Sequence, residues 1–86
     1  MNIDLNQIRD KFDGLCSGSA SREEVARFAS RAIEADDIGK LHMEKSNEAK
    51  IWEAILYLSG VDLMDVPGEY LHTVSDFENA RRELGV

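Results

Sequence analysis

The most apolar segment of the chain reads Ser46-Asn-Glu-Ala-Lys-Ile-Trp-Glu-Ala-Ile-Leu-Tyr-Leu-Ser-Gly60 and holds the only tryptophan. When the segment is set on a helix at about 100° per residue, apolar side chains cover more than half of the circumference, and only Lys50, Glu53 and Tyr57 form a polar strip. A helix that is apolar over so wide an arc normally packs against several neighbours. The segment therefore predicts a central helix over 47–59, with Trp52 buried.

Three further segments carry helical spacing. Leu5, Ile8, Phe12 and Leu15 recur at intervals of three, four and three residues and form one apolar stripe. Helix starts are marked by Asp4 as an N-cap residue and by two capping-box patterns, Ser21-Arg-Glu-Glu24 and Ser75-Asp-Phe-Glu78. These signals predict helices over about 4–16, 21–36 and 75–84.

The segment after the central helix predicts a short helical turn near 62–66. Leu63, Met64 and Val66 need some burial there, and Pro67-Gly68 ends the turn. No stretch shows the alternating apolar pattern or the density of β-branched residues that strands require. The predicted fold class is therefore all-α: a single helical domain over 1–86, built as a small antiparallel bundle of four main helices.

The acidic side chains are unevenly distributed. Ten Lys and Arg residues against seventeen Asp and Glu residues give a net charge of −7. The window 51–80 contains six acidic residues and no Lys or Arg. Such a field repels nucleic acid and anionic membranes and attracts basic partners. A DNA-binding helix is normally basic, whereas Arg27, Arg31 and Glu34 look like an ordinary solvated face, so neither a nucleic-acid partner nor a membrane partner is predicted.

No arrangement of residues typical of an enzyme occurs in the chain. A glycine-rich phosphate loop, a paired-cysteine metal pattern and a nucleophile elbow are all missing, so no catalytic residue, metal or cofactor is expected. An alternative, a metal-dependent hydrolase, would need Cys16, His42 and His72 to converge, although their spacing matches no zinc motif. The single cysteine fits a reducing compartment. With no secretory signal and no apolar run of membrane-spanning length, a cytoplasmic protein is expected.

Several short pieces of the sequence resemble one family. Leu15-Cys16 would close the first helix and Ser21-x-Glu23-Glu24 would open the second, as in that family. Ser59-Gly-Val-Asp-Leu-Met-Asp-Val-Pro67 is similar to the family's Ser-Gly-x-Asp-Leu-x-x-x-Pro segment, and 74–85 is similar to its last helix. In these pieces the chain resembles the small acidic helical immunity proteins of bacterial toxin systems, of the colicin and pyocin nuclease type or the contact-dependent inhibition type. The family's adjacent tyrosine pair before the proline is Asp65-Val66 here.

The resemblance implies an immunity protein that binds and neutralises a cognate basic toxin domain, such as a nuclease, through an acidic surface. The expected partner-binding residues are the acids of the charged window together with two aromatic anchors: Asp62, Asp65, Glu69, Tyr70, Asp76, Glu78 and Tyr57. An alternative hypothesis is a non-catalytic regulatory or adaptor protein that acts by protein–protein contact. In either case the chain is expected to be a monomer or a weak homodimer.

Overall fold

The structure, a computed structural model, describes residues 1–86 and contains four helices. They are α1 (Leu5–Ser17), α2 (Arg22–Asp37), α3 (Glu48–Leu58) and α4 (Val74–Leu84), and a 3-10 turn over Lys45–Asn47 leads into α3. The prediction of a mostly helical fold with four main helices is confirmed. A purely all-α class is wrong, because four short strands form two separate pairs.

Side-chain caps at α1 and α2 follow the sequence signals. The Asp4 carboxylate accepts a hydrogen bond from the Gln7 amide at 2.9 Å, and the Gln7 side chain accepts one from the Asp4 amide at 2.8 Å. Ser21 Oγ accepts from the Glu24 amide at 3.1 Å, but the Glu24 side chain does not accept from the Ser21 amide, so only half of the predicted capping box forms. Both helices therefore begin where otherwise unpaired backbone amides find side-chain acceptors.

The start of α4 differs from the prediction. The capping box lies at Thr73 rather than Ser75: the Thr73 hydroxyl accepts from the Asp76 amide at 3.3 Å, and the Asp76 carboxylate accepts from the Thr73 amide at 2.8 Å. The sequence offers two overlapping patterns of a hydroxyl residue followed three positions later by an acid. The earlier pattern is used, and it lets Val74 and Ser75 enter the helix.

Helix α3 lies at the centre of the core. Its Ile51, Ala54, Ile55 and Leu58 side chains are completely buried, and the helix contacts all three other helices. The core is a single cluster of apolar side chains: Ile3, Ile8, Phe12, Leu15, Val25, Ala26, Ala29, Ala32, Ile51, Ala54, Ile55, Leu58, Val61 and Phe77. The prediction that Trp52 is buried is wrong, because Trp52 lies at the edge of this face and is only half-buried.

The first pair of strands ties the amino terminus to the connection between α2 and α3. Strand β1 (Asn2–Ile3) runs parallel to β2 (His42–Met43), with Asn2 opposite His42 and Ile3 opposite Met43. The His42 amide donates to the Met1 carbonyl at 2.8 Å. Two-residue strands carry no readable alternation, so nothing in the local sequence could have predicted this pairing.

The second pair replaces the helical turn predicted near 62–66, which is wrong. Strand β3 (Met64–Val66) pairs antiparallel with β4 (Glu69–Tyr70) around a turn at Pro67-Gly68, and Gly68 has φ +88°. A proline followed by a residue with positive φ is typical of a type II turn. The hairpin leaves Leu63, Met64 and Val66 about half exposed rather than buried.

The helices are too short or too polar for a bilayer: no helix in the fold combines the length and the apolar character that a membrane crossing requires.

Candidate functional site

The acidic residues expected to bind a partner fall on two neighbouring elements. Asp65 and Glu69 are exposed on the β3–β4 hairpin, and Asp62 precedes it. Asp76 and Glu78 are exposed on α4, where Asp76 also caps the helix. The structure thus brings these carboxylates to the region of the hairpin and the α4 N-terminus, and their role in partner binding stays a prediction.

Tyr70 attaches the hairpin to the start of α2. Its hydroxyl donates a hydrogen bond to the Glu23 carboxylate, and the Arg22 guanidinium lies 4.2 Å from the centre of the Tyr70 ring. The hydrogen bond raises the pKa of Tyr70 and lowers the pKa of Glu23, because it stabilises the neutral phenol and the charged carboxylate together. Arg22 also lies 4.8 Å from the ring of Phe77 and donates to the His72 carbonyl. Tyr70 and Arg22 are therefore already engaged within the fold.

Tyr57 packs into the fold as well. Its ring stacks on Phe12 with ring centres 6.0 Å apart, and a tilted contact with His72 has ring centres 5.7 Å apart. Burial, and then the charge of Asp76, raise the pKa of the Tyr57 hydroxyl. Tyr57 is half-buried, so much of its ring contributes to packing.

The alternative metal site is not formed. No three His, Cys, Asp or Glu side chains are arranged to hold a metal ion. Cys16 instead lies half-buried at the end of α1. The convergence of Cys16, His42 and His72 that a hydrolase would need does not occur.

Several basic side chains are engaged with other parts of the fold. Arg81 Nη1 donates to Asp13 Oδ1 at 2.7 Å, which raises the pKa of Arg81, and Lys50 Nζ donates to the Gly85 carbonyl at 3.4 Å. Arg22 is held by the aromatic rings of Tyr70 and Phe77. These three cations therefore make contacts within the fold.

Lys11, Arg27 and Arg31 are cations of the α1–α2 surface that make neither a side-chain hydrogen bond nor an ion pair. Arg27 and Arg31 lie one turn apart on the exposed face of α2, and Lys11 of α1 places its ammonium 4.7 Å from the centre of the Phe28 ring. None of the three lies within 4.0 Å of a carboxylate. We refer to Lys11, Arg27 and Arg31 as the cationic strip: the two arginines lie on the exposed face of α2, and Lys11 of α1 contacts α2 at Phe28.

The strip has the chemistry of an anion-binding surface. A guanidinium presents paired N–H donors that match the oxygens of a phosphate, and a lysine adds a point charge. Glu23, Glu24 and Glu34 lie one turn from the strip arginines on the same helix and lower the positive potential of the strip. The strip therefore offers donors that suit phosphate oxygens, with a positive potential reduced by these three carboxylates.

Sequence reasoning overlooked the strip because it read these arginines as solvated. The sequence offers no clear signal for them, because Glu23, Glu24 and Glu34 lie one turn from the arginines and offset the repulsion between Arg27 and Arg31. No pattern in the sequence indicates that Lys11 belongs to the strip, because its position depends on how α1 packs beside α2.

The fold therefore defines the class of this chain: a small, mostly helical protein with an exposed cationic strip. A family model described as "YxzC DNA-binding protein" matches residues 2–83. The uncharacterized protein YxzC of Bacillus subtilis (strain 168) is 30% identical over 75 residues, which are 87% of this chain and 57% of that protein. No solved structure matches the chain. The chain belongs to the YxzC family, and it spans little more than half the length of that relative.

The comparisons overturn the predicted immunity function. The family that matches is YxzC, and neither an immunity protein nor a toxin inhibitor appears in its description. The cognate toxin partner and the adaptor alternative therefore lose their support, and the exclusion of nucleic acid conflicts with the family description. The exclusion of nucleic acid rests on net charge over long windows, whereas charges more than about 10 Å apart are largely screened at 0.1 M salt.

Proposed function

We propose that this chain binds DNA through the cationic strip, by contacts to the phosphate backbone. The observation that carries the proposal is the match of residues 2–83 to a family described as DNA-binding. The strip supports it because Lys11, Arg27 and Arg31 make no ion pair within the fold. Cations without internal partners are free to replace the counterions of a phosphate backbone.

The acidic remainder of the chain sets the orientation of the complex. The molecule measures 36 × 25 × 19 Å, so much of its surface lies more than about 10 Å from any one bound phosphate and is screened at 0.1 M salt. A duplex that approached the hairpin would meet Asp65 and Glu69 at close range and be repelled. The α1–α2 surface is therefore favoured over the hairpin.

Backbone contact without base readout is the binding mode that the strip favours. Base recognition needs side chains that enter a groove, whereas guanidinium and ammonium groups on an exposed surface can reach phosphate oxygens. We further propose that the chain acts in the cytoplasm and without catalysis, as a binding module.

Charge reversal on the strip tests the proposal directly. Anisotropy of a short labelled duplex at about 50 mM salt should reveal binding by the full chain in the micromolar range, about 10 to 100 µM, as for other electrostatic contacts. Arg27→Glu with Arg31→Glu should abolish that binding. Arg82→Glu is the matched control, because Arg82 is an exposed arginine on α4 outside the strip.

Two outcomes would refute the proposal. Absence of binding by the unaltered chain at low salt would reject DNA as the ligand. An equal loss in the Arg82 variant and in the strip variant would reject the α1–α2 surface as the site. Circular dichroism of each variant establishes that the fold is retained.

A further inference from the structure

A cleft beside the α2 C-terminus has no part in the proposed contact with DNA. It is open to solvent and has a volume of about 660 Å³. It is formed by the end of α2, strand β2, the 3-10 turn and the first turns of α3, and it is lined by Asp36, Met43, Lys45, Ser46, Glu48, Ala49 and Trp52. No residue of the cationic strip lines it.

The apolar wall of the cleft contains the only tryptophan. Trp52 and Met43 are both half-buried. No hydrogen bond within the fold involves the Trp52 indole N–H, and no buried side-chain nitrogen or oxygen lacks a partner, so this N–H is accessible to solvent. An indole face at the border of a cleft is the best aromatic surface for a cation, because the ring quadrupole is negative above the plane.

The charged residues of the cleft favour the same kind of ligand. Asp36 and Glu48 are exposed and belong to different helices, and neither they nor Lys45 make an ion pair within 4.0 Å. Two carboxylates against one ammonium leave one excess negative charge. The C-terminal end of α2 adds negative potential at Asp36, and Glu48 offsets the positive end of α3. An anionic ligand is therefore disfavoured.

We propose that this cleft binds a guanidinium group, with its plane against Trp52 and its N–H donors on Asp36 or Glu48. A guanidinium is planar, weakly hydrated and able to stack on an indole while it donates to a carboxylate, whereas an ammonium is more strongly hydrated and cannot stack. A neutral aromatic ligand would cover carboxylates without giving them a donor, which is costly. The group can come from a small guanidine compound or from an arginine side chain of a polypeptide.

Trp52 reports binding directly because it is the only tryptophan. Titration of the full chain with agmatine should change the Trp52 fluorescence saturably, with a dissociation constant on the order of 1 mM. 1,4-Diaminobutane, which matches the two positive charges of agmatine but has an ammonium in place of the guanidinium, should bind several times more weakly, and N-butylurea, a neutral planar analogue, should produce no saturable change. Asp36→Asn and Glu48→Gln should each weaken agmatine binding about threefold, and the double variant about tenfold. Asp37→Asn is the matched control, because Asp37 is an exposed neighbour that does not line the cleft.

The two sources of the group are separated by a parallel titration with acetyl-arginine amide. If this compound binds more tightly than agmatine, the ligand is an arginine side chain of a polypeptide. If agmatine binds more tightly, the ligand is a small guanidine compound. Either result supports the site. A fluorescence change that is linear in concentration, an equal response to N-butylurea, or an undiminished response in the Asp36/Glu48 double variant would overturn the proposal. None of these outcomes depends on DNA, so failure here and failure of the proposed DNA contact are distinguishable.

Discussion

Replacing Arg27 and Arg31 by glutamine should change how DNA binding responds to salt, not only its strength. Each phosphate that a protein neutralises on duplex DNA lowers the slope of log K against log salt by about 0.9. The three cations of the strip therefore predict a slope of about −2.7, and the double variant, which retains only Lys11, predicts about −0.9. Between 50 and 200 mM salt the affinity should fall about 40-fold for the unaltered chain and about 3.5-fold for the variant.

The assay is anisotropy of a labelled duplex at several salt concentrations, with protein stability measured in the same buffers. Arg82→Gln, which removes an arginine outside the strip, should leave the slope unchanged. Glu24→Gln removes a negative charge beside the strip and should raise affinity at low salt, which a loss of folding cannot produce. Equal slopes for the unaltered chain and the Arg27/Arg31 variant would refute the reasoning, because those arginines would then contact no phosphate.

The core, the cap of α4 and a packed tyrosine allow three further predictions. Ile55→Ala removes a completely buried side chain and should lower the free energy of unfolding by about 2–5 kcal/mol in urea denaturation. Leu56→Ala, at a position that is 49% exposed, should lower it by less than about 0.5 kcal/mol. Similar losses for the two variants would contradict the orientation of α3. Thr73→Ala should cost about 1 kcal/mol in the same assay because it removes the α4 cap, and Ser75→Ala should be nearly neutral; the reverse order would make Ser75 the cap. Burial raises the pKa of Tyr57 above its ordinary value, so the unfolded chain loses this proton first and the folded state should lose stability as the pH rises above about 10. In thermal melts between about pH 9 and 11, Tyr57→Phe should reduce that loss, and an unchanged pH dependence would show that Tyr57 titrates as in the unfolded chain.

The helical elements could be predicted because their determinants are local. Apolar spacing of three and four residues marks one face of a helix, and a cap acts over three residues, as at Asp4 and Ser21. Where two such signals overlap, as at Thr73 and Ser75, local sequence cannot choose between them, and the prediction was wrong. The hairpin was missed for a related reason: its strands have three and two residues, too few to show alternation. Pro67-Gly68 is the one local signal for the hairpin, and it equally fits the end of the helical turn predicted near 62–66.

The partial exposure of Trp52 was also not predictable from its helix alone. On a helix apolar over most of its circumference, burial depends on which sides the neighbours cover. Ile51 and Ile55 face the other helices and are completely buried, while Trp52 remains at the border of a cleft. The same geometry that makes the earlier prediction wrong makes Trp52 a candidate for ligand contact.

By itself the sequence determined four helices, a single apolar stripe on α1, an apolar α3 and an excess of acid in 51–80, because these depend on spacing and composition along the chain. The tertiary structure decided which charges lie together and which are already used. Lys11 reaches Phe28 across the α1–α2 contact, and Tyr70 reaches Glu23 over a separation of 47 residues. Such contacts join residues that are distant in sequence, and no local pattern encodes them. For this reason the acid excess of 51–80 and the arginines of α2 are visible in the sequence, whereas the position of Lys11 beside α2 depends on the packing of two helices.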